Sequence, residues 1–369
     1  MKTVRRLLYR EIVGSVLFVT AAFLSLFFFI DFVDELNDRS ASGRGAWRAA
    51  HLSALEIPGH LYELIPISVL IGTIYALSRM AQSSEFTILR TGGLGPGRAL
   101  GLLASLGLAF AAVTFVVGDH AAPWAERQVA LNKARASGIT LGQAGAWLKE
   151  RRQAEDGSEI SVSINVGAAR GAGDLQGVHI FEHDAQGRLL LRLIAQEAHV
   201  DGDAVWHLRE VQRTRWPVPQ TGPQRLIEER LPELAWRSTL TADVVGSAVL
   251  PLKTMTTLDL WRYSTHLNRQ AQDAQRYAIQ FWKKALYPLA CVVMVALALP
   301  FAYLHARAGG VSLKVFGGIM LGISFVLLNN VAGHLGVLRG WTPWVAAATP
   351  ALTYLFMSLV AFAWLVRYR

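Results

Sequence analysis

Residues 12–30 read IVGSVLFVTAAFLSLFFFI, and no charged side chain interrupts this run. A helix of about 20 mainly apolar residues crosses the hydrocarbon core of a bilayer, so the run predicts a membrane-spanning helix. The basic residues before it resemble the start of a signal peptide. The apolar run is nevertheless longer than that of a signal peptide, and no small-residue cleavage site follows it. We therefore expect the first span to be retained.

Five more apolar blocks follow, and the charged residues concentrate between them. Hydrophobic residues make up 52% of the 369 residues and charged residues only 17%, a distribution that a bilayer imposes. The pattern predicts an α-helical polytopic membrane protein with three spans on each side of a long central segment. The predicted transmembrane helices are residues 12–33, 57–78, 98–118, 285–304, 314–335 and 345–366.

The basic residues predict the orientation of these helices. If the N-terminus is cytoplasmic, most Lys and Arg residues of the short connections lie on the cytoplasmic side, which is the positive-inside bias. We therefore expect a multi-pass protein of the cell inner membrane with both termini in the cytoplasm. The net charge of +9 then reflects arginines at the ends of apolar blocks, and it does not indicate nucleic-acid binding.

The central segment predicts an inserted extracytoplasmic all-β domain that is jelly-roll-like. Along residues 160–166, branched side chains alternate with small polar ones, as in a half-buried strand. Short antiparallel strands in about 110 residues are typical of a sandwich or jelly roll. Further strand-like runs lie at 177–183, 188–199 and 204–213, with turn sequences at 185–188 and 201–203. The predicted domains are a first transmembrane half (1–137), the β-domain (138–250), and a linker helix with the second transmembrane half (251–369).

The sequence lacks the usual signatures of catalysis and of metal binding. Cys291 is the single cysteine, so neither an intramolecular disulfide nor a cysteine metal cluster can form. The glycine-rich stretch 92–97 has no following Lys, so it is not a phosphate-binding P-loop. Asp119 and His120 lack a metal-ligand spacing. We predict a non-hydrolytic subunit with no catalytic residue, no cofactor and no metal.

Residues 80–92, in the loop between the second and third spans, predict a short amphipathic helix. Ser83 or Ser84 can cap its N-terminus, Glu85 is favourable in its first turn, and glycine ends it. Phe86 and Leu89, with Ile88, are expected to form an exposed apolar edge. Such a helix could lie on the bilayer surface or bind a cytoplasmic partner.

Four segments, in this order within the three-plus-three arrangement, carry a resemblance to a known family. They are FVDEL at 32–36, MAQSSE at 80–85, GDHAAP at 118–123 and QDAQRY at 272–277. Together with the C-terminal half, they make essentially the whole chain similar to the LptF/LptG family, the paired permeases of the lipopolysaccharide export ABC transporter. The chain resembles the LptG branch more than the LptF branch.

The resemblance implies a set of partners and a mechanism. The partners are an LptF-like permease, an LptB-like cytoplasmic ATPase dimer and an LptC-like single-span bridge protein. ATP binding would close a cavity between the two permeases and push lipopolysaccharide onto the β-domain, from which it would pass along the bridge. The residues implied in contact with the ATPase are Ser84, Glu85, Phe86, Leu89 and Arg90.

The resemblance also implies residues that bind the lipid. Lys133 matches a basic position of the family beyond the third helix, and Arg135 is close to it in sequence. Phe32, Asp34 and Arg39 are the candidates near the end of the first helix. The basic positions of the family on the first helix are occupied here by Asp31, Asn37 and Asp38. The resemblance therefore leaves phosphate binding by the first helix open.

Two other functions are compatible with the sequence. The chain could take the LptF-type role, or it could be a membrane-anchored assembly or sensor protein whose β-domain binds a ligand. The loop around Glu85 distinguishes the sensor, because a sensor needs no contact with an ATPase there. The chemical form of the lipid, the stoichiometry and the gating residues are also open.

Overall fold

A computed structural model shows the fold of the chain and divides it into two compact units. One unit comprises residues 1–126 and 278–369, and the other comprises residues 127–277. The described residues are 2–39, 46–93, 95–137, 146–153, 159–169, 173–201, 205–216, 226–238, 240, 252–269, 274–303 and 310–367.

Six helices among the described residues are long and apolar enough to cross a membrane, which confirms the predicted fold class. Each of these helical stretches begins before the apolar block that predicted it, because a helix can continue into the polar regions that flank a bilayer. The six spans are Thr3–Asn37, Ala46–Gln82, Pro96–Ala130, Gln275–Tyr303, Val311–Leu338 and Pro343–Trp364. The individual α-helices among the described residues, which include shorter ones, are α1 Lys2–Arg39, α2 Ala46–Gln82, α3 Glu85–Thr91, α4 Pro96–Val116, α5 Ala122–Ser137, α6 Thr257–Arg269, α7 Gln275–Leu286, α8 Ala290–Tyr303, α9 Val311–Leu338 and α10 Pro343–Arg367. A π-helical turn, Val117–Ala121, joins α4 to α5, and a 3-10 turn, Tyr287–Leu289, joins α7 to α8.

The second span, α2, lies at the centre of the first unit and packs against α1, α8 and α9. Most of its apolar stretch is buried, whereas very little of that of α1 is. A helix that is apolar all round must be surrounded by other helices or by lipid. In α1, large side chains such as Phe18 and Phe29 are 76% and 62% exposed, as a lipid-facing or subunit-facing surface requires.

Small residues allow the spans to approach each other closely, as is common in membrane helices. A Cβ atom added to Gly72 of α2 would lie 2.7 Å from the backbone of Val16 in α1. A Cβ on Gly107 of α4 would lie 2.9 Å from the Cα of Val292 in α8. These two glycines therefore fix the distances between α1 and α2 and between α4 and α8.

The second unit contains a six-stranded sheet, which confirms the inserted β-domain. The strands pair antiparallel in sequence order, so the described strands form a meander without the crossovers of a jelly roll. One face carries the core, in which Ile164, Ile180 and Trp206 are fully buried. The strands are β1 Ala146–Gln153, β2 Glu159–Ala169, β3 Asp174–His183, β4 Leu189–Val200, β5 Val205–Arg215 and β6 Ile227–Arg237.

Side-chain hydrogen bonds connect the first and last strands of this meander. The Ser238 hydroxyl, just after β6, donates to the buried Glu150 carboxylate of β1 at 2.5 Å. The Arg152 guanidinium of β1 donates to the Arg237 carbonyl of β6 at 3.1 Å. The first and last strands of the described sheet are thus close together, although they are not neighbours in its strand order.

The turn between β3 and β4 is the one that the sequence predicted. The amides of Gln186 and Arg188 donate to the Asp184 carboxylate at 3.0 and 2.8 Å, and Gly187 supplies a left-handed φ of +78°. Desolvation opposes ionisation of Asp184, but the hydrogen bonds and positive charge of Arg188 outweigh it and lower the pKa of this carboxyl. The predicted turn at 201–203 lies partly outside the described residues.

Substituting Gly72 with alanine is expected to destabilise the protein, because the new methyl group would overlap the backbone of Val16. Overpacking of this kind costs about 1–3 kcal/mol. Thermal unfolding in detergent can be followed with a thiol-reactive dye, since Cys291 is the single cysteine and is buried. Gly14→Ala is the control, because no atom lies within 4 Å of its new methyl group. Unfolding of Gly72→Ala at or above the wild-type temperature would contradict this packing.

Candidate functional site

The connection between the second and third spans is a tight turn followed by the short helix α3. The Ser83 amide donates to the Arg79 carbonyl at 3.0 Å, which closes the end of α2. Ser84 then adopts a φ of +62°, a left-handed conformation that is strained for a residue other than glycine. Its carbonyl accepts the Ile88 amide at 3.0 Å, so Ser84 occupies the predicted capping position.

The other end of α3 is also as the sequence predicted. The Gly92 amide donates to the Ile88 carbonyl at 2.9 Å, and Gly93 has a φ of +99°. A left-handed glycine is a common way for a helix to end. The Arg98 guanidinium donates to the Gly93 carbonyl at 3.2 Å, which connects this turn to the start of α4. Both ends of α3 are therefore held by hydrogen bonds.

The expectation that Phe86 belongs to an exposed apolar edge is wrong. Its side chain is only 4% exposed, and its ring meets that of Tyr303, at the end of α8, edge to face with centroids 5.2 Å apart. Leu89 is half-buried against the same core. A sequence pattern shows that a helix has an apolar side, but not whether that side faces the bundle or the solvent. Here Phe86 and Leu89 attach α3 to the membrane helices.

The opposite face of α3 is exposed and has a mixed character. It consists of Ser84, Glu85, Thr87 and Ile88, which we call the α3 face. Ile88 is 66% exposed, although it lies beside a carboxylate and two hydroxyl side chains. An apolar anchor ringed by polar groups is a common feature of protein interfaces. The side chain of Arg90, the remaining candidate, lies outside the described residues.

The predicted lipid-binding residues do not form a described site. Phe32 is half-buried with its ring stacked 6.3 Å from that of Phe28, and Asp34 is exposed. Arg39 is the last residue of α1, and its side chain lies outside the described residues. The same holds for the side chains of Lys133 and Arg135, whose backbone belongs to α5 in the other unit.

The sequence reasoning missed a cluster of three side chains on α1 and α2. Asp31 of α1 lies beside Glu56 and His60 of α2, with one potential ligand atom from each within 4.8 Å of the others. Asp31 is 29 residues from His60 in sequence, so only the pairing of the two helices brings them together. The one sequence signal was the four-residue spacing of Glu56 and His60, which places both on the same side of a helix.

The two faces of α3 predict different effects of substitution. Phe86→Ala is expected to destabilise the protein by about 3–5 kcal/mol, as is usual when a buried Phe is truncated. Ile88→Ala removes an exposed side chain and should leave the unfolding temperature close to that of the wild type. The Cys291-based unfolding measurement compares the two variants. Equal unfolding temperatures would show that Phe86 does not anchor α3.

The similarity of this chain to known proteins extends along nearly its whole sequence, so it includes both groups of membrane helices and the strands encoded between them. The family model described as lipopolysaccharide export system permease LptF/LptG matches residues 6–366. The lipopolysaccharide export system permease protein LptG of Escherichia coli K12 is 25% identical over 358 residues, which is 96% of each chain. LptG of Haemophilus influenzae Rd is 24% identical over 361 residues, or 97% of each chain. The chain therefore belongs to the LptF/LptG family of lipopolysaccharide export permeases and is a multi-pass inner-membrane protein.

Proposed function

We propose that this chain is the LptG-type permease subunit of an ABC transporter that extracts lipopolysaccharide from the inner membrane. The observation that carries the proposal is the full-length similarity to two proteins named LptG. It favours the LptG-type role over the LptF-type role. It also disfavours a sensor, because the similarity includes every membrane helix as well as the β-domain.

The energy for transport comes from a separate ATPase, because the sequence contains no G-x-x-x-x-G-K-[ST] phosphate-binding loop. An LptB-like ATPase dimer binds the α3 face, with Ile88 as the apolar anchor and Glu85 as the charged contact. Phe86 has a different role from the one expected: it fixes α3 to Tyr303 of α8. Leu89 packs against the same core, and Arg90 belongs to the same helix.

Movement of α3 would be transmitted to the membrane helices through two attachments. One is the turn at Ser83 and Ser84, which joins α3 to the end of α2 by backbone hydrogen bonds. The other is the contact of Phe86 with Tyr303 of α8. Since α2 packs on α1, α8 and α9, displacement of α3 by an ATPase would act on the whole bundle.

The orientation follows from the distribution of basic residues. Lys and Arg of the short connections fall mainly on the side of the N-terminus, which is therefore cytoplasmic. We therefore assign α3 and both termini to the cytoplasm and the β-domain to the periplasm. An LptF-like permease completes the cavity in the membrane, and an LptC-like protein continues the path beyond the β-domain.

Substrate binding requires cations for phosphate groups and an apolar surface for acyl chains. Lys133, Arg135 and Arg39 supply the cations in this proposal, since guanidinium and ammonium groups pair well with phosphate. Phe32 supplies an aromatic surface, and Asp34 lies on the exposed side of the same helix end. Of these residues, Lys133 matches a basic position of the family, and the others are assigned because they lie near it or near the end of the first helix in the sequence.

A change of charge on the α3 face is expected to weaken ATPase binding strongly. Glu85→Lys and Ile88→Glu each place a charge where the proposal requires complementarity, and loss of a central contact weakens binding by about 2 kcal/mol or more. The measurement is recovery of the co-expressed LptB-like ATPase of the same organism with the permease in detergent. Glu197→Lys, an exposed acid of β4 in the other unit, is the control. Undiminished recovery with both α3 variants would contradict the proposal.

Single-cysteine labelling tests the orientation. In a Cys291→Ala background, Arg209→Cys in β5 should react with a membrane-impermeant maleimide once the outer membrane is permeabilised. Ser312→Cys, at the start of α9, should react only after the inner membrane is disrupted. Both positions are exposed and lie outside the α3 face, so topology rather than burial decides the difference. Labelling of Ser312→Cys before disruption would overturn the orientation.

A further inference from the structure

The cluster on α1 and α2 is built from pairs of residues that face each other across the two helices. On α1, Phe27 and Asp31 are four residues apart, and on α2, Glu56 and His60 have the same spacing, so each pair lies on one side of its helix. The His60 Nε2 atom is 2.8 Å from the Asp31 Oδ2 atom. The His60 ring also stacks on Phe27, with centroids 4.8 Å apart.

We propose that Asp31, Glu56 and His60 bind a divalent first-row metal ion that joins α1 to α2. One ligand atom from each residue already lies within 4.8 Å of the others. A tetrahedral ion bound at about 2.0–2.2 Å keeps its ligand atoms roughly 3.3–3.6 Å apart. Binding would therefore lengthen the 2.8 Å contact between His60 Nε2 and Asp31 Oδ2 and bring the three ligand atoms from within 4.8 Å to that spacing.

The donor set determines the class of metal. One imidazole nitrogen and two carboxylate oxygens suit Zn²⁺, Co²⁺ or Mn²⁺, whereas metals that require thiolate ligands are excluded. Three protein ligands leave at least one coordination position for water or another oxygen donor. The ion would also neutralise the two carboxylates, whose charges repel each other at this distance.

The surroundings of the cluster favour a defined site. The Asp31 and His60 side chains are only 17% and 24% exposed, so the charges are partly shielded from water and interact more strongly than on an open surface. The stack with Phe27 fixes the plane of the His60 ring and thereby the direction of its ligand nitrogen. Interactions that orient a metal-binding histidine in this way support binding.

A metal ion at this position would hold the C-terminal half of α1 against α2. Among the described glycines, none makes a close contact with this part of α1 like the contact of Gly72 with Val16. The close approach at Gly72 lies at Val16, which is 15 residues, or about 22 Å of helix, before Asp31. Since α1 packs mainly against α2, the ion would fix the C-terminal half of α1 just as Gly72 fixes its N-terminal half. Removal of the ion would free that half of the helix to move.

Cobalt binding to the full-length protein in detergent tests the site. The chain is purified with an affinity tag that contains no histidine, stripped with EDTA and titrated with Co²⁺, whose visible absorption reports coordination. We expect one equivalent of Co²⁺ to bind and to be displaced by Zn²⁺. His60→Gln and Asp31→Asn should each weaken Co²⁺ binding by at least about 100-fold, more than loss of an outer-shell partner does.

Two further variants make the result specific. His51→Gln, an exposed histidine on the same helix, should bind Co²⁺ like the wild type. Asp31→His replaces one ligand with another and should retain binding with a shifted cobalt spectrum. The Cys291-based unfolding temperature gives a second measurement: added Zn²⁺ should raise it for the wild type but not for His60→Gln, each protein being compared with its own temperature in EDTA.

Three outcomes would overturn the proposal. One is the absence of stoichiometric Co²⁺ binding by the wild type, which would leave only a hydrogen-bonded pair of Asp31 and His60. Another is unchanged binding by His60→Gln and Asp31→Asn. The third is loss of binding in His207→Gln instead, because His199 and His207 both lie near the Asp201 carboxylate in the β-domain, at 3.4 and 2.8 Å, and the ion would then belong there.

Discussion

The burial of α2 on all sides is the constraint on which the membrane unit depends. A central membrane helix gains no hydrophobic driving force from packing on its neighbours, because lipid is equally apolar. Close van der Waals contact must hold it instead, and small residues make that contact possible. Gly72 provides it towards α1, and Gly318 and Gly322 of α9 provide it from the other helix, where added Cβ atoms would lie 2.7 Å from Ile74 and Ile67 of α2.

The same helix connects the membrane unit to the site between the second and third spans. The end of α2 turns through a left-handed serine into α3, and α3 is attached a second time by Phe86 at Tyr303. A short helix of seven residues is not stable by itself in water. Its hydrogen-bonded ends and its buried aromatic residue hold it in place, so that the exposed side with Glu85 and Ile88 can be presented in a fixed orientation.

Much of the fold follows from local sequence patterns. Long apolar runs required helices that span a bilayer, and alternation along 160–166 required a strand, because these periods reflect geometry within one element. The turn at Asp184–Arg188 was also predictable, since its hydrogen bonds connect residues that are neighbours in the chain. The meander order of the strands was not, because strand pairing depends on contacts between distant segments.

The candidate sites also depend partly on local sequence and partly on contacts between distant segments. The sequence by itself determined the six spans, the inserted sheet and the presence of a short capped helix around Glu85. Only the tertiary structure decided that Phe86 faces the bundle while Ile88 faces outward, and that Asp31 lies beside His60. The physical reason is that hydrophobic periodicity specifies which side of a helix is apolar, but its partner is selected by packing with residues far away in the chain.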